Sequence, residues 1–194
     1  MAILSLVLLV LFGVVCVGVR TLVHVRRTGD SPFRNGPVGN AAVAILGFAA
    51  PFVAAAVIDL DGGDDRLLHG PWIAGLGVAL AATGIAATMW AQLAMGESWR
   101  IGVDLAERTA LVTGGPYRRV RNPIYTAMFA FAAGVTLLVP TVVSLAGLVA
   151  VVVVIDVVVR RVEEPYLRST HGAAYDRWGA TTGRFLPGIG HLAG

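Results

Sequence analysis

Five stretches of this chain are long and apolar enough, or nearly so, to cross a lipid bilayer. A chain built this way has few folds open to it. The hydrocarbon core holds no water to pair free backbone groups, so only helices and closed barrels can span it. A spanning helix needs about 20 predominantly apolar residues. Met1–Val19, Gly39–Ile58 and Pro71–Met95 fit that description, followed by Pro123–Val139 and Thr141–Val159 with almost no connection at Pro140. The fourth run is slightly short, which predicts a tight antiparallel hairpin with the fifth. The first lacks the charged start and small-residue cleavage site of a signal peptide, so it reads as a retained span. The expected fold is all-α: a single polytopic integral membrane domain over residues 1–194, with three spans in 1–95 and the hairpin in 96–194.

Charge is scarce, at 14% of residues, against about a quarter in soluble domains. A net charge of +3, carried by arginine with no lysine, would by its sign suit nucleic acid, but its distribution points to membrane orientation instead. The segment Arg20 to Gly36 holds four arginines and one aspartate, whereas Asp59 to Gly70 holds four aspartates and one arginine. Glu97 to Asn122 and Arg160 to Gly194 each hold five arginines and three acids. Alternate connections share a sign, so the positive-inside rule places the amino terminus outside and the last two segments in the cytoplasm. Cys16 is the only cysteine, which leaves no intrachain disulfide. The lysine-free, Ala/Val/Gly/Arg-rich composition suggests a GC-rich prokaryotic genome and hence the cell membrane.

The unusual polar chemistry falls in two segments, Trp99–Tyr125 and Arg160–Pro187, which flank the hairpin and so must meet at one membrane face. In the first, Gly114-Gly115-Pro116 is a turn signal, and Asn122-Pro123 sets a preferred N-cap residue before a first-turn proline. Arg118, Arg119 and Arg121 serve either as a membrane anchor or, with that helix start, as a site for a carboxylate or phosphate. In the second, Pro165 predicts a break or kink in the fifth span. Arg160 and Glu164 have the spacing of a helical ion pair, as do Asp156 and Arg160. The adjacent carboxylates Glu163 and Glu164 need partners at such a break, and a polar ligand is the preferred reading. Tyr166, Leu167, Tyr175 and Trp178 then read as the apolar side of one short amphipathic helix. His24, His69, His171 and His191 lack metal-ligand spacing, and neither a GxGxxG fingerprint nor a P-loop is present.

LVTGGPYRRVRNPIYTA, then EEPYLRSTHGAAYDRW and GRFLP, resemble the isoprenylcysteine carboxyl methyltransferase family of membrane enzymes, a group that extends to the phospholipid N-methyltransferases. The resemblance covers roughly Arg100 to Pro187. It implies a cytoplasm-facing pocket for S-adenosylmethionine, with a lipid-accessible opening for the methyl acceptor. By motif, Thr109, Ala110, Leu111, Val112, Tyr117, Asn122, Pro123, Ile124 and Tyr125 would line the cofactor. Glu163 would hold it from across the hairpin, with Glu164 nearby. Arg160 or Arg161 would face an acceptor carboxylate. The family commonly has histidine where this chain has Asn122; asparagine can cap a helix or bond a ligand but does not titrate near neutral pH.

A carboxylate acceptor needs no general base, whereas an amine or phenol would give Glu163 or Glu164 a proton to take. The expected partners are therefore a lipophilic acceptor and membrane lipids, with neither nucleic acid nor metal. Two other classes stay open. A membrane sterol or enone reductase would bind NADPH and use the arginines for its extra phosphate. A non-enzymatic protein would use its basic loops for anionic lipid.

Overall fold

The computed structural model describes residues 1–36, 39–62, 66–102 and 110–192. The first helix, α1 (Ala2–Thr28), runs through a π-helical stretch at Gly13–Val19. Beyond it lie α2 (Ala41–Leu60), α3 (Pro71–Met95), α4 (Pro123–Leu138), α5 (Val142–His171) and α6 (Ala173–Thr181). A two-residue antiparallel pair, β1 (Asn35–Gly36) and β2 (Gly39–Asn40), sets Asn35 opposite Asn40 between the first two helices. Among the described residues, α1, α2, the α3 region and α5 are long and apolar enough to cross a membrane, and α4 is a shorter apolar helix. The all-α polytopic expectation therefore holds. Side chains such as Val43, Leu46, Trp72 and Val154 stand more than half exposed around the bundle, as lipid contact requires.

The core sits around α4. Apolar helices gain little from leaving lipid for each other, so close backbone approach drives their packing. Gly77, Ala81 and Gly84 give α3 a small-residue face, and a Cβ on Gly84 would lie 2.6 Å from the Phe131 backbone nitrogen. Phe131 is fully buried and stacks on Phe12 of α1 at 4.4 Å. The hairpin turn is fixed chemically: Thr141 Oγ1 accepts from the Ser144 amide at 3.2 Å, and Ser144 Oγ accepts from the Thr141 amide at 3.1 Å. This reciprocal box pairs N–H groups that would otherwise be unpaired at the start of α5.

Backbone hydrogen bonds tie connections together at both ends of the bundle. At one end Arg34 N donates to Ile101 O and Ile101 N donates to Pro32 O, both at 2.9 Å, joining the connections after α1 and α3, and Arg121 N donates to Gly183 O at 2.7 Å. At the other, Leu67 N donates to Pro140 O at 2.7 Å, joining the acidic connection to the hairpin turn.

Three local expectations are corrected. The first helix does not stop at Val19; it continues to Thr28, ending where Gly29 takes φ 72. Arg20 and His24 are thus buried residues of α1, on the same face as Phe12 and Cys16. Pro165 does not break the fifth span. The turns before it widen to a π-helix over Val159–Glu163, relieving the clash that a proline ring makes with the carbonyl four residues back. The segment beyond Pro165 is not one amphipathic helix. Gly172, at φ 53, separates α5 from α6, and Tyr175 turns inward to 1% exposure.

Candidate functional site

Glu163 and Glu164 lie where α5 passes the start of α4, and each binds a residue there. The Tyr125 hydroxyl donates to Glu163 Oε1 at 2.5 Å. Arg121 Nη2 donates to Glu164 Oε1 at 2.8 Å, and Arg184 makes a two-point contact with the same carboxylate at 2.8 and 2.9 Å. Consecutive acids on one helix thereby grip positions four apart at the start of the other.

The carboxyl-terminal segment completes this arrangement. Arg121 N and Asn122 N donate to Gly183 O and Arg184 O, forming a short parallel pairing of the two segments. Arg121 Nη1 donates to the carbonyls of Gly179 and Thr182, and Nη2 also reaches Gly190 O at 2.8 Å. Thr126 Oγ1 donates to Phe185 O at 2.7 Å, while Phe185 packs edge-on against Phe129. The GRFLP segment is thus a strap across the entrance to α4. The Glu164 carboxylate holds the Arg184 guanidinium protonated beyond its ordinary range.

These contacts redistribute the expected roles. Arg121, one of three arginines read as either a membrane anchor or an anion site, is buried and committed to Glu164 and backbone carbonyls, leaving Arg118 and Arg119 exposed. The Asn122 side chain does not cap α4; its Nδ2 donates to Arg184 O at 3.3 Å. Arg160 pairs with Asp156 at 2.7 Å rather than with Glu164, and both Arg160 and Arg161 are exposed. Among the described residues, no hydrogen bond or ion pair joins either guanidinium to the Glu163 carboxylate.

Tyr117 joins the site from a 3-10 turn, Gly115–Arg118. Its hydroxyl donates to Ala91 O at 3.3 Å, and Trp178 Nε1 fixes its carbonyl at 3.2 Å. Burial, then the Glu163 charge, pushes the Tyr117 hydroxyl well above the ordinary tyrosine range. Pro123 is buried; Ile124, Tyr125 and Asn122 are half-buried, as are Leu111 and Val112, and Ala110 is exposed. Thr109 lies outside the described residues. Among the described residues no group of three or more His, Cys, Asp or Glu could hold a metal ion.

Sequence reasoning missed Arg184 and the structural role of Arg121. The signal was present, since GRFLP carries one arginine among apolar residues and the chain has two unmatched acids nearby. Pairing it with Glu164 requires knowing that the strap folds back over α4.

A model of the phospholipid methyltransferase family matches residues 72–174, more than half of the sequence. Among solved structures, the fold matches the eukaryotic intramembrane Ras methyltransferase ICMT (isoprenylcysteine carboxyl methyltransferase), with a TM-score of 0.62 and 21% identity over 77% of this chain. The chain covers 54% of that one's length. No curated protein matches the sequence. The protein belongs to the phospholipid methyltransferase family, with a polytopic membrane fold like that of ICMT.

Proposed function

We propose that this protein is an integral membrane methyltransferase that uses S-adenosylmethionine to modify a lipophilic acceptor at the cytoplasmic membrane face. The observation that carries this reading is the Tyr125–Glu163 bond at 2.5 Å, which joins the two family motifs across the hairpin. The residues fit the cofactor's chemistry. Glu163 supplies a carboxylate for a cationic ligand, Tyr117 and Tyr125 supply hydroxyls, and Leu111 and Val112 supply a half-buried apolar edge. When bound, S-adenosylmethionine supplies an electrophilic methyl group on a sulfonium. The protein's task is then alignment and exclusion of water rather than provision of a nucleophile.

Glu164 belongs to this reading as a positioning residue, because its oxygens are engaged by Arg121 and Arg184. The cytoplasmic placement follows from the positive-inside rule applied to the arginine-rich end, where both motifs lie. A cell-membrane location accords with the composition. The NADPH reading loses support because Arg121 is committed elsewhere.

Equilibrium binding in detergent tests the proposal. Saturable S-adenosylhomocysteine binding that weakens by about tenfold in Glu163→Gln, in the range of a lost charged hydrogen bond, is the expected result. Binding of NADPH but not S-adenosylhomocysteine would overturn it.

A further inference from the structure

The region matched by the family begins at residue 72, so α1 lies outside it, yet α1 buries an arginine against α3. Phe12, Cys16, Arg20 and His24 recur every four residues, and all four are buried. In a regular α-helix a four-residue step overshoots one turn by about 40°, so three steps would carry His24 far round from Phe12. The π-helical stretch at Gly13–Val19 has wider turns, which take up that drift and keep Arg20 facing α3.

Arg20 completes a helix end that its own backbone leaves open. The Gly96 amide bonds to Leu93 O, three residues back, and not to Gln92 O. Arg20 Nη2 donates to Gln92 O at 3.3 Å in its place, and to Gly96 O at 2.6 Å. Carbonyls at the carboxyl end of a helix lack intrahelical donors and carry the negative end of its dipole, so a guanidinium suits them. The guanidinium carbon also lies 4.6 Å from the Trp99 ring centre, at the start of the connection toward the first motif. One side chain therefore holds the last turn of α3, its cap and the residue that leaves it.

The tyrosine of that motif rests on the same turn. Its hydroxyl donates to Ala91 O, next to the carbonyl that Arg20 takes, while Trp178 Nε1 holds its carbonyl. Tyr117 is 5% exposed, so a shift of the turn is passed to the ring rather than absorbed by solvent. A cap that only stabilised α3 would leave ligand binding alone. Docking of Tyr117 on the adjoining carbonyl links this cap to the pocket.

We propose that Arg20 is a positioning residue of the cofactor site, holding the last turn of α3 where Tyr117 docks. The inference rests on the methyltransferase reading, in which Tyr117 lines the cofactor.

The test measures S-adenosylhomocysteine binding and melting temperature for the full chain in detergent. Arg20→Gln should weaken binding about tenfold, as loss of charged hydrogen bonds requires. Arg20→Lys, which keeps the charge but loses the planar stack on Trp99, should weaken it about threefold. Both effects should vanish in a Tyr117→Phe background, where the hydroxyl no longer docks. Phe12→Leu loosens the same helix at its stack on Phe131 and serves as the stability control. It should lower the melting temperature and leave affinity unchanged. Equal losses with and without the Tyr117 hydroxyl, or an equal loss in Phe12→Leu, would overturn the proposal. Should Arg20→Gln not fold, the lysine variant decides by the same comparison, and unchanged affinity contradicts the proposal. Amide hydrogen exchange of residues 113–121 without ligand supplies a second readout, quickened by Arg20→Gln or Arg20→Lys and not by Phe12→Leu. If folded wild type binds no S-adenosylhomocysteine, the methyltransferase reading falls. Quickened exchange would then leave the Arg20–Tyr117 link standing, and unchanged exchange would remove it as well.

Discussion

The Tyr125 hydroxyl meets Glu163 Oε1 at 2.5 Å, linking the first turn of α4 to the π-helical turn of α5. One bond thereby couples the entry of the hairpin to its exit. Tyr125→Phe and Glu163→Gln should each weaken S-adenosylhomocysteine binding, Glu163→Gln by more. The double variant should lose less than the two single effects combined, with a coupling of about 1.5–3 kcal/mol expected for a hydrogen bond to a charged group. Additive losses would mean that the contact does not hold the site together.

Glu164 is predicted to act through stability. Removing it leaves Arg121 buried without its counter-ion, an arrangement that costs about 3–5 kcal/mol. Glu164→Ala should lower the melting temperature in detergent markedly. The combined change Arg121→Met/Glu164→Leu/Arg184→Met should recover part of the loss, because none of these three charges is then left without a counter-ion, although the carbonyls that Arg121 serves lose their donor. A Glu164→Gln protein of wild-type stability but without activity would instead assign Glu164 to the chemistry.

Tyr175 sets an alkaline limit. Burial, followed by the Glu164 charge, pushes its hydroxyl from 10.0 up to about 12. Ionisation is easier in the unfolded chain, so stability is intact below pH 10 and falls as pH rises toward 12. Two pH units correspond to about 2.7 kcal/mol. Unfolding measured from about pH 9 to 12 should show this decline, and Tyr175→Phe should flatten it apart from the part due to Tyr117.

Packing of α3 on α4 depends on absent side chains. Gly84→Val would place its Cβ 2.6 Å from the Phe131 backbone nitrogen, where only movement of the helices can make room. The expected outcome is failure to yield a monodisperse protein, beyond the usual overpacking cost of about 1–3 kcal/mol. Gly75→Ala, whose Cβ has nothing within 4 Å, should behave as wild type.

The spans and their junctions were legible because length, apolarity and proline placement act locally. Pro71 and Pro123 each begin a helix, and Thr141 caps one. Pro165 shows the limit, since the sequence marks a conflict there but does not say whether the chain breaks or widens its turn. The inward orientation of Arg121 and Arg20 was hidden for another reason. An arginine beside a membrane run reads as an anchor, and only the fold supplies the carbonyls and carboxylate that make its burial tolerable. The Glu163–Tyr125 pair was within reach as two motif residues, although the bond between them was not.

The most direct test of the central claim is transfer of a radiolabelled methyl group from S-adenosylmethionine to the organic-extractable fraction of native membranes. Wild-type protein should catalyse it, and Glu163→Gln should reduce it by about tenfold or more, as loss of a charged contact to the cofactor requires. No transfer by folded wild-type protein, or transfer undiminished in Glu163→Gln, would contradict the account.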